Sequence, residues 1–228
     1  IEIVFDGADR GAFDKTPDFI KSIPLWKANE ETALVAYEMN GEPLPHWNGF
    51  PARLVVPGWT ATYWVKHLTS IKASTKPLNN FWMSSAYRVP LGKFPMVARF
   101  TSQETAVNTP ITEIMVNSII TSHQDGATVK VGLPLNFSGI AWDAGYGIRS
   151  AELSVDGGRT WSVATLGDDL GPFAFRSWSH GFTAQQPGRN IVMVRATNGI
   201  GQTQTSQLIS NPAGYHHNVM QAITVIAV

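Results

Sequence analysis

The second half of the chain consists of short alternating apolar and polar stretches separated by turn residues. From Thr109 onward these stretches include ATVKVGLPLNFSGIAW, IRSAELSVDGGRTW and NIVMVRATNGIGQ, and Asp-Gly, Gly-Gly, Pro-Gly and Asn-Gly pairs occur among them. Alternation with a period of two places successive side chains on opposite faces of a strand, and these glycine pairs favour tight hairpin turns. The pattern predicts an all-β sandwich over 109–228, with Trp161 starting a paired strand and pointing into its core.

The first hundred residues have a mixed pattern. IEIVF alternates as a strand does. TPDFIKSIPLWKA has a Thr-Pro helix start with apolar spacing that Pro24 interrupts, and TALVAYEMNG is typical of a strand closed by an Asn40-Gly41 turn. Together they predict an α+β unit rich in shaped loops. A polar segment near 105–110 separates the two patterns, so we divide the chain into 1–108 and 109–228.

Composition excludes several classes of protein. The chain has 228 residues, of which 43% are hydrophobic and 15% charged, so it can bury a large core. Seventeen basic and seventeen acidic residues cancel, and no run of like charge predicts binding to nucleic acid or to an anionic membrane. No stretch approaches the roughly 20 apolar residues of a membrane span.

The start of the chain and its lack of cysteine are informative in different ways. IEIVFDGADRG has neither an initial methionine nor the pattern of a signal peptide, which predicts a processed chain or one whose earlier part is missing. Without cysteine, the chain itself can form no disulfide, thiolate metal site or cysteine nucleophile.

The common catalytic motifs do not occur in the sequence. There is no HExxH, GxSxG, GxGxxG or Walker P-loop. The residues that remain are a candidate anion site, formed by Arg53 at the head of LVV and Lys66 after the aromatic run, with backbone N–H groups of glycine turns. From the residues alone, Arg53 and Lys66 could equally be solvated surface charges, and Tyr87 could be a packed aromatic.

Three stretches, taken in order, resemble one known family. AYEMNGEPLPHWNGFPARLVVPGW followed by VK, then AYRVP, then SVDGGRTW closely resemble the molybdenum-dependent sulfite oxidase family, specifically its bacterial sulfite dehydrogenase branch. The resemblance covers nearly the whole chain. It implies that 1–108 is the C-terminal part of a molybdopterin-binding domain and that 109–228 is an immunoglobulin-like domain that forms a homodimer.

The resemblance also assigns residues to a molybdenum-molybdopterin cofactor. An arginine and a lysine would offset the charge of the pterin phosphate, while backbone groups and side-chain amides would bind the ring edges. Tyr87 matches the tyrosine beside the molybdenum oxo group, where a phenol can donate or accept a hydrogen bond. The cofactor residues implied in this way are Asp9, Asn48, Arg53, Trp64, Val65 and Lys66.

The sequence departs from the family at two points. The cysteine that binds molybdenum in the family, and an arginine needed for sulfite, belong to a segment upstream of IEIVF. In the family's C-terminal Tyr-x-Arg-Asn-Val stretch this chain has GYHHNV, so His217 replaces an arginine that reaches the substrate anion. An ordinary histidine is fully charged only below about pH 6.5. We therefore include His217 as a predicted catalytic residue and regard the substrate as less well defined than the family.

The function implied by the resemblance is oxidation of sulfite to sulfate, with electrons passed to a cytochrome c or a haem subunit, in the periplasm. One alternative is a related enzyme that acts on another sulfur oxyanion or on a sulfoxide. A second alternative is that this chain alone serves only as a dimerisation or interaction module.

Overall fold

The computed structural model describes residues 1–228, which form mainly short β-strands joined by long loops. The chain divides into two compact units, the first comprising Ile1–Ile114 and Asn211–His216, the second Met115–Ser210 and His217–Val228. Each unit has its own hydrophobic core. None of the helices is long and apolar enough to cross a membrane.

The first unit contains nine strands, two four-residue α-helices and three 3₁₀ turns. The strands are β1 (Glu2–Gly7), β2 (Lys21–Pro24), β3 (Leu34–Ala36), β4 (Glu38–Met39), β5 (Glu42–Pro43), β6 (Arg53–Val55), β7 (Leu68–Ser74), β8 (Arg88–Pro90) and β9 (Asn108–Pro110). The helices are α1 (Leu25–Ala28) and α2 (Phe81–Ser84), and the 3₁₀ turns are His46–Asn48, Ala61–Tyr63 and Thr101–Gln103. An antiparallel sheet has the order β2-β1-β7, and β3-β6, β4-β5 and β8-β9 form separate pairs.

The predicted helix in TPDFIKSIPLWKA is wrong. Its centre is the buried strand β2, which pairs with β1 so that Lys21 lies opposite Phe5, and only the four residues of α1 are helical. Pro24 explains the boundary, because proline has no N–H for an interior helical hydrogen bond and here precedes the first helical residue. The turn predicted at Asn40-Gly41 is confirmed, since both residues have the positive φ of a tight hairpin and connect β4 to β5.

The second unit contains two sheets that share one hydrophobic core. Its strands are β10 (Asn117–Ile120), β11 (Ala127–Val129), β12 (Pro134–Trp142), β13 (Ile148–Ser154), β14 (Ser162–Val163), β15 (Thr165–Leu166), β16 (Arg176–Thr183), β17 (Gly188–Asn198) and β18 (Gln221–Ala227). The orders are β10-β12-β16-β15 and β11-β18-β17-β13-β14. Phe137 and Trp178 from one sheet and Val192 and Val194 from the other are buried in the same cluster.

The prediction that Trp161 points into this core is wrong. The Asp156 carboxylate accepts hydrogen bonds from the backbone N–H groups of Arg159 and Thr160, which prolongs the turn so that β14 begins only at Ser162. Trp161 is therefore half-buried, and its ring packs against the Arg195 guanidinium at 4.2 Å.

A glycine at the contact between β10, β12 and β16 gives a test of this core. A Cβ at Gly139 would collide with the Ile119 carbonyl and lie 2.6 Å from Cζ2 of Trp178. Because neither the backbone nor a buried indole can move freely, we expect Gly139→Ala to lower the free energy of unfolding by about 1 to 3 kcal/mol in urea denaturation. Gly181→Ala is the matched control in β16, where a Cβ would meet nothing within 4 Å. Equal stability of the two variants would contradict the close packing at Gly139.

Candidate cofactor and active site

Arg53 is the centre of a group of donors that we call the cationic cradle, comprising Arg53, Lys66, the Trp64 ring and the backbone of Asn48 and Gly49. The guanidinium of Arg53 donates to the Asn48 carbonyl from Nη1 at 3.1 Å and to the Trp64 carbonyl from Nη2 at 3.4 Å, and its central carbon lies 5.6 Å from the Trp64 ring. Burial lowers the pKa of Arg53. Its Nε is buried and has no partner within the protein.

Gly49 allows the two loops of the cradle to approach closely. Its φ is 107°, and a Cβ there would lie 2.9 Å from Cβ of Lys66 and 3.1 Å from Cβ of Arg53. The His67 N–H donates to the Gly49 carbonyl at 3.3 Å, and the exposed Lys66 ammonium donates to the Trp47 carbonyl at 2.6 Å. The glycine therefore puts the arginine and the lysine on the same surface.

Asp9 and Val65 lie next to the cradle, where backbone contacts of their segments hold them. The Ala8 N–H donates to the His67 carbonyl at 2.8 Å, and a Cβ at Gly7 would collide with the Lys66 carbonyl and lie 2.6 Å from Oδ1 of Asp9. Val65 is buried, and its carbonyl accepts from the Leu54 N–H at 2.8 Å. The structure thus brings together the residues that the sequence assigned to the cofactor, which are Asp9, Asn48, Arg53, Trp64, Val65 and Lys66.

Three further residues at the cradle were missed by the sequence reasoning. The His46 and His67 rings lie 5.0 Å apart, and His67 Nδ1 is 2.7 Å from the Phe50 carbonyl oxygen. His67 also has the left-handed φ of 49°, and Trp47 leaves 82% of its surface exposed. The sequence could have indicated them, because His46 and Trp47 belong to the motif HWNGFPAR and His67 directly follows Lys66.

Tyr87 lies in a second region of the first unit, immediately before β8. It has a φ of 56°, which is a strained conformation for a bulky residue. Tyr87 lines a cavity of about 380 Å³, where its ring stacks on Tyr215 at 5.8 Å. No protein group hydrogen-bonds its half-buried hydroxyl. That hydroxyl is therefore available to a ligand.

Arg88 is the one charged residue that lines this cavity. Its Nε donates to Oδ1 of Asn108 at 2.6 Å, its Nη1 to the Met83 carbonyl at 2.6 Å, and its Nη2 to the Gln103 carbonyl at 2.5 Å. Burial lowers the pKa of Arg88. Because its donors are used to hold the loops around β8, Arg88 is poorly placed to bind a substrate anion as well.

Lys21 lies behind Tyr87 and was also missed by the sequence reasoning. Its side chain is fully buried, and Nζ lies 4.7 Å from the Tyr63 ring centroid and 5.0 Å from that of Tyr87, while donating to the Trp82 carbonyl at 2.8 Å. Burial, together with the nearby charge of Arg88, lowers the pKa of Lys21 to about 7. The helix start predicted for this segment gave no indication that the Lys21 side chain would be buried.

The two histidines of GYHHNV belong to different units. His216 lies in the first unit with a φ of 56°, its ring is 5.1 Å from Phe94, and burial lowers its pKa to about 4. His217 is exposed in the second unit, where its carbonyl accepts a hydrogen bond from Nδ2 of Asn117 at 2.9 Å.

The donors of the cradle fit a cofactor that carries a phosphate. A guanidinium with one buried and unpaired N–H, next to an exposed ammonium, is the combination that favours a phosphate oxygen. The half-buried Asn48 amide and the exposed Asp9 carboxylate supply polar groups for the edge of a heterocycle.

Two family models match the chain. The Oxidoreductase molybdopterin binding domain matches residues 1–82, which include the cradle, and the Mo-co oxidoreductase dimerisation domain matches 108–227. The chain belongs to the sulfite oxidase family. The matched models and relatives accordingly imply a molybdenum-molybdopterin cofactor for this member of an oxidoreductase family.

Known relatives agree with this membership. Human mitochondrial sulfite oxidase is 35% identical over 214 residues, covering 90% of this chain, and Arabidopsis thaliana sulfite oxidase is 33% identical over 172 residues, covering 74%. The chain spans 38% and 42% of these two proteins. The crystal structure of the sulfane dehydrogenase SoxCD from Paracoccus pantotrophus matches 98% of this chain and 54% of its own, with a TM-score of 0.77 and 24% identity, and so shares the fold of this family member.

Proposed function

We propose that the full-length protein containing this chain oxidises sulfite to sulfate and passes the electrons to a cytochrome c. The observation that supports the proposal is the cradle itself, in which Arg53 donates to the Asn48 and Trp64 carbonyls and Gly49 lets Lys66 approach Arg53. This surface lies in the region matched by the molybdopterin-binding model, and the human and plant relatives are sulfite oxidases. The reaction converts sulfite and water to sulfate, two protons and two electrons.

The residues of the cradle would hold the cofactor by charge and by hydrogen bonds. Arg53 and Lys66 would bind its phosphate, and Asn48, Asp9 and the Trp64–Lys66 backbone would contact its pterin ring. When bound, the cofactor supplies the two-electron oxidation. Close packing around Gly49 would fix Arg53 and Lys66 relative to each other before the cofactor binds. Fewer conformations are then lost on binding, which reduces its entropy cost.

Tyr87 would act on the substrate and its protons. Its hydroxyl has no competing partner in the protein, so it can donate a hydrogen bond to a substrate oxygen or accept one from water as the reaction proceeds. Its fixed left-handed backbone and the stacked Tyr215 ring hold the phenol in one orientation. His217 is proposed to add positive charge for the substrate anion.

A second candidate function is oxidation of a sulfur substrate that carries less charge, such as a sulfane sulfur or a sulfoxide. It is favoured by the cavity beside Tyr87, whose single charged residue is Arg88. Because Arg88 already donates hydrogen bonds to protein groups, the cavity offers little positive charge to an anionic substrate. The solved structure of similar fold is named a sulfane dehydrogenase, which is consistent with this possibility.

We also propose that 1–108 completes a molybdopterin-binding domain and that 109–228 is an immunoglobulin-like domain that pairs two copies of the protein. The dimerisation model matched to 108–227 and the two sheets around one core support this proposal. Periplasmic location stays a prediction of the family resemblance.

Turnover by the purified full-length protein tests the proposed function. We expect molybdenum in the protein and sulfite-dependent reduction of cytochrome c, with glutathione persulfide as the alternative substrate. A molybdenum-loaded protein that oxidises the persulfide but not sulfite would favour the second candidate. A chain that folds and dimerises but never retains molybdenum, even when expressed at full length, would leave only the interaction module.

A further inference from the structure

The ammonium of Lys21 lies between two aromatic rings that belong to different parts of the site. Tyr63, on one side, ends the 3₁₀ turn that leads into Trp64, whose carbonyl accepts from Arg53 in the cradle. Tyr87, on the other side, lines the cavity. Lys21 itself is anchored in β2, opposite Phe5 of β1. One buried side chain therefore contacts both the cradle segment and the cavity tyrosine.

The contacts of Lys21 also involve the loop that carries Tyr87. Its Nζ donates to the carbonyl of Trp82 in α2, and the Trp82 ring lies 6.1 Å from that of Tyr87. Tyr87 has a left-handed backbone, so the surrounding contacts must hold it there. A buried ammonium without a carboxylate partner is costly, and its remaining stabilisation comes from the ring faces and the carbonyl.

We propose that Lys21 is a positioning residue, whose ammonium holds the Tyr87 ring in place over the cavity through a cation–π contact. The alternative is that Lys21 only caps the Trp82 carbonyl. The catalytic part of the test rests on the proposed function, whereas the contact itself does not.

The charge state of Lys21 determines when this contact operates. The charged or titratable groups around it are Tyr63, Tyr87 and Arg88, together with the buried Glu2 of β1, which acts on Tyr63 and forms no salt bridge with Lys21. With a pKa of about 7, Lys21 is charged and in contact with the rings below that pH, and it becomes neutral above it. The positioning effect should be present in acid and fade as pH rises through 7.

A titration that needs no turnover tests the contact. Lysine labelled at ¹³Cε in the full-length protein would report the Lys21 midpoint by NMR, assigned from the signal absent in Lys21→Arg. Because the ring face favours the charged form, Tyr87→Leu should lower that midpoint by about half a pH unit. Tyr37→Leu, which removes an exposed tyrosine, is the control and should leave the midpoint unchanged. An unchanged midpoint in Tyr87→Leu would overturn the proposal.

Kinetics then separate positioning from a purely structural role. At pH 6, Lys21→Met should lower kcat about tenfold with little change in KM, and the difference from wild type should vanish above pH 8, where wild-type Lys21 is neutral. Lys21→Arg should retain kcat across this range because its charge persists. A loss in Lys21→Met that is equal at every pH would overturn the proposal. If neither variant folds, the Tyr87→Leu titration still decides. A shifted midpoint together with an unchanged kcat of Lys21→Met at pH 6 would confirm the contact but overturn the positioning role, whereas the catalytic role of Tyr87 is tested separately by Tyr87→Phe.

Discussion

Arg53→Ala in the full-length protein is expected to lower the content of molybdenum and pterin at least tenfold while leaving the fold intact. The guanidinium connects the Asn48 and Trp64 carbonyls and leaves its buried Nε unpaired, so removing it deletes both the scaffold of the cradle and a phosphate donor. A hydrogen bond to a charged group contributes about 1.5 to 3 kcal/mol, which corresponds to roughly 10- to 150-fold in affinity.

The measurement for Arg53 is elemental analysis of molybdenum together with fluorescence of the oxidised pterin, with circular dichroism as the check on folding. Lys66→Ala should show the same direction of change because its ammonium is on the same surface. Arg149→Ala and Lys72→Ala are matched controls at exposed positions in β13 and β7, and should retain full cofactor content. Wild-type cofactor content in both cradle variants would refute the assignment of the cradle.

Tyr87→Phe is expected to lower kcat by about 100-fold or more, since general acid–base groups typically contribute 10²- to 10⁴-fold. The hydroxyl makes no hydrogen bond to the protein, so its removal should leave the free energy of unfolding nearly unchanged. The effect should therefore fall on turnover rather than on folding or on cofactor content.

Steady-state kinetics with sulfite, alongside thermal unfolding, would measure the effect at Tyr87. Tyr215→Phe is the matched control, because Tyr215 stacks on Tyr87 and lines the same cavity. A loss in kcat of less than threefold in Tyr87→Phe, or an equal loss in Tyr215→Phe, would mean that the phenol of Tyr87 has no special role in the reaction.

The cradle was predictable because it depends on residues close together in sequence. Asn48, Gly49 and Arg53 belong to one motif, and Lys66 follows after a single short strand and turn. Close packing around Gly49 needs only these two loops. The motif could therefore be matched to a family, and the structure brings Lys66 and Arg53 close together at Gly49, while their role in cofactor binding stays a prediction.

The setting of Tyr87 was not predictable in the same way. The local pattern of TPDFIKSIPLWKA favoured a helix, but pairing with β1 made its centre a buried strand that contains Lys21. Cross-strand pairing depends on a segment distant in sequence, and it overrides local propensity. The same limit applies to Trp161, where hydrogen bonds from the Asp156 turn delayed the start of the strand.

The sequence by itself determined the strand-rich second half, the cationic residues of the cradle and the family, because alternation and contiguous motifs are local properties. Only the tertiary structure decided that Lys21 lies buried between Tyr63 and Tyr87, that Arg88 uses its donors on the protein, and that His216 and His217 belong to different units. These facts depend on which distant segments pack together, and that is set by burial of the whole core rather than by any one stretch of the chain.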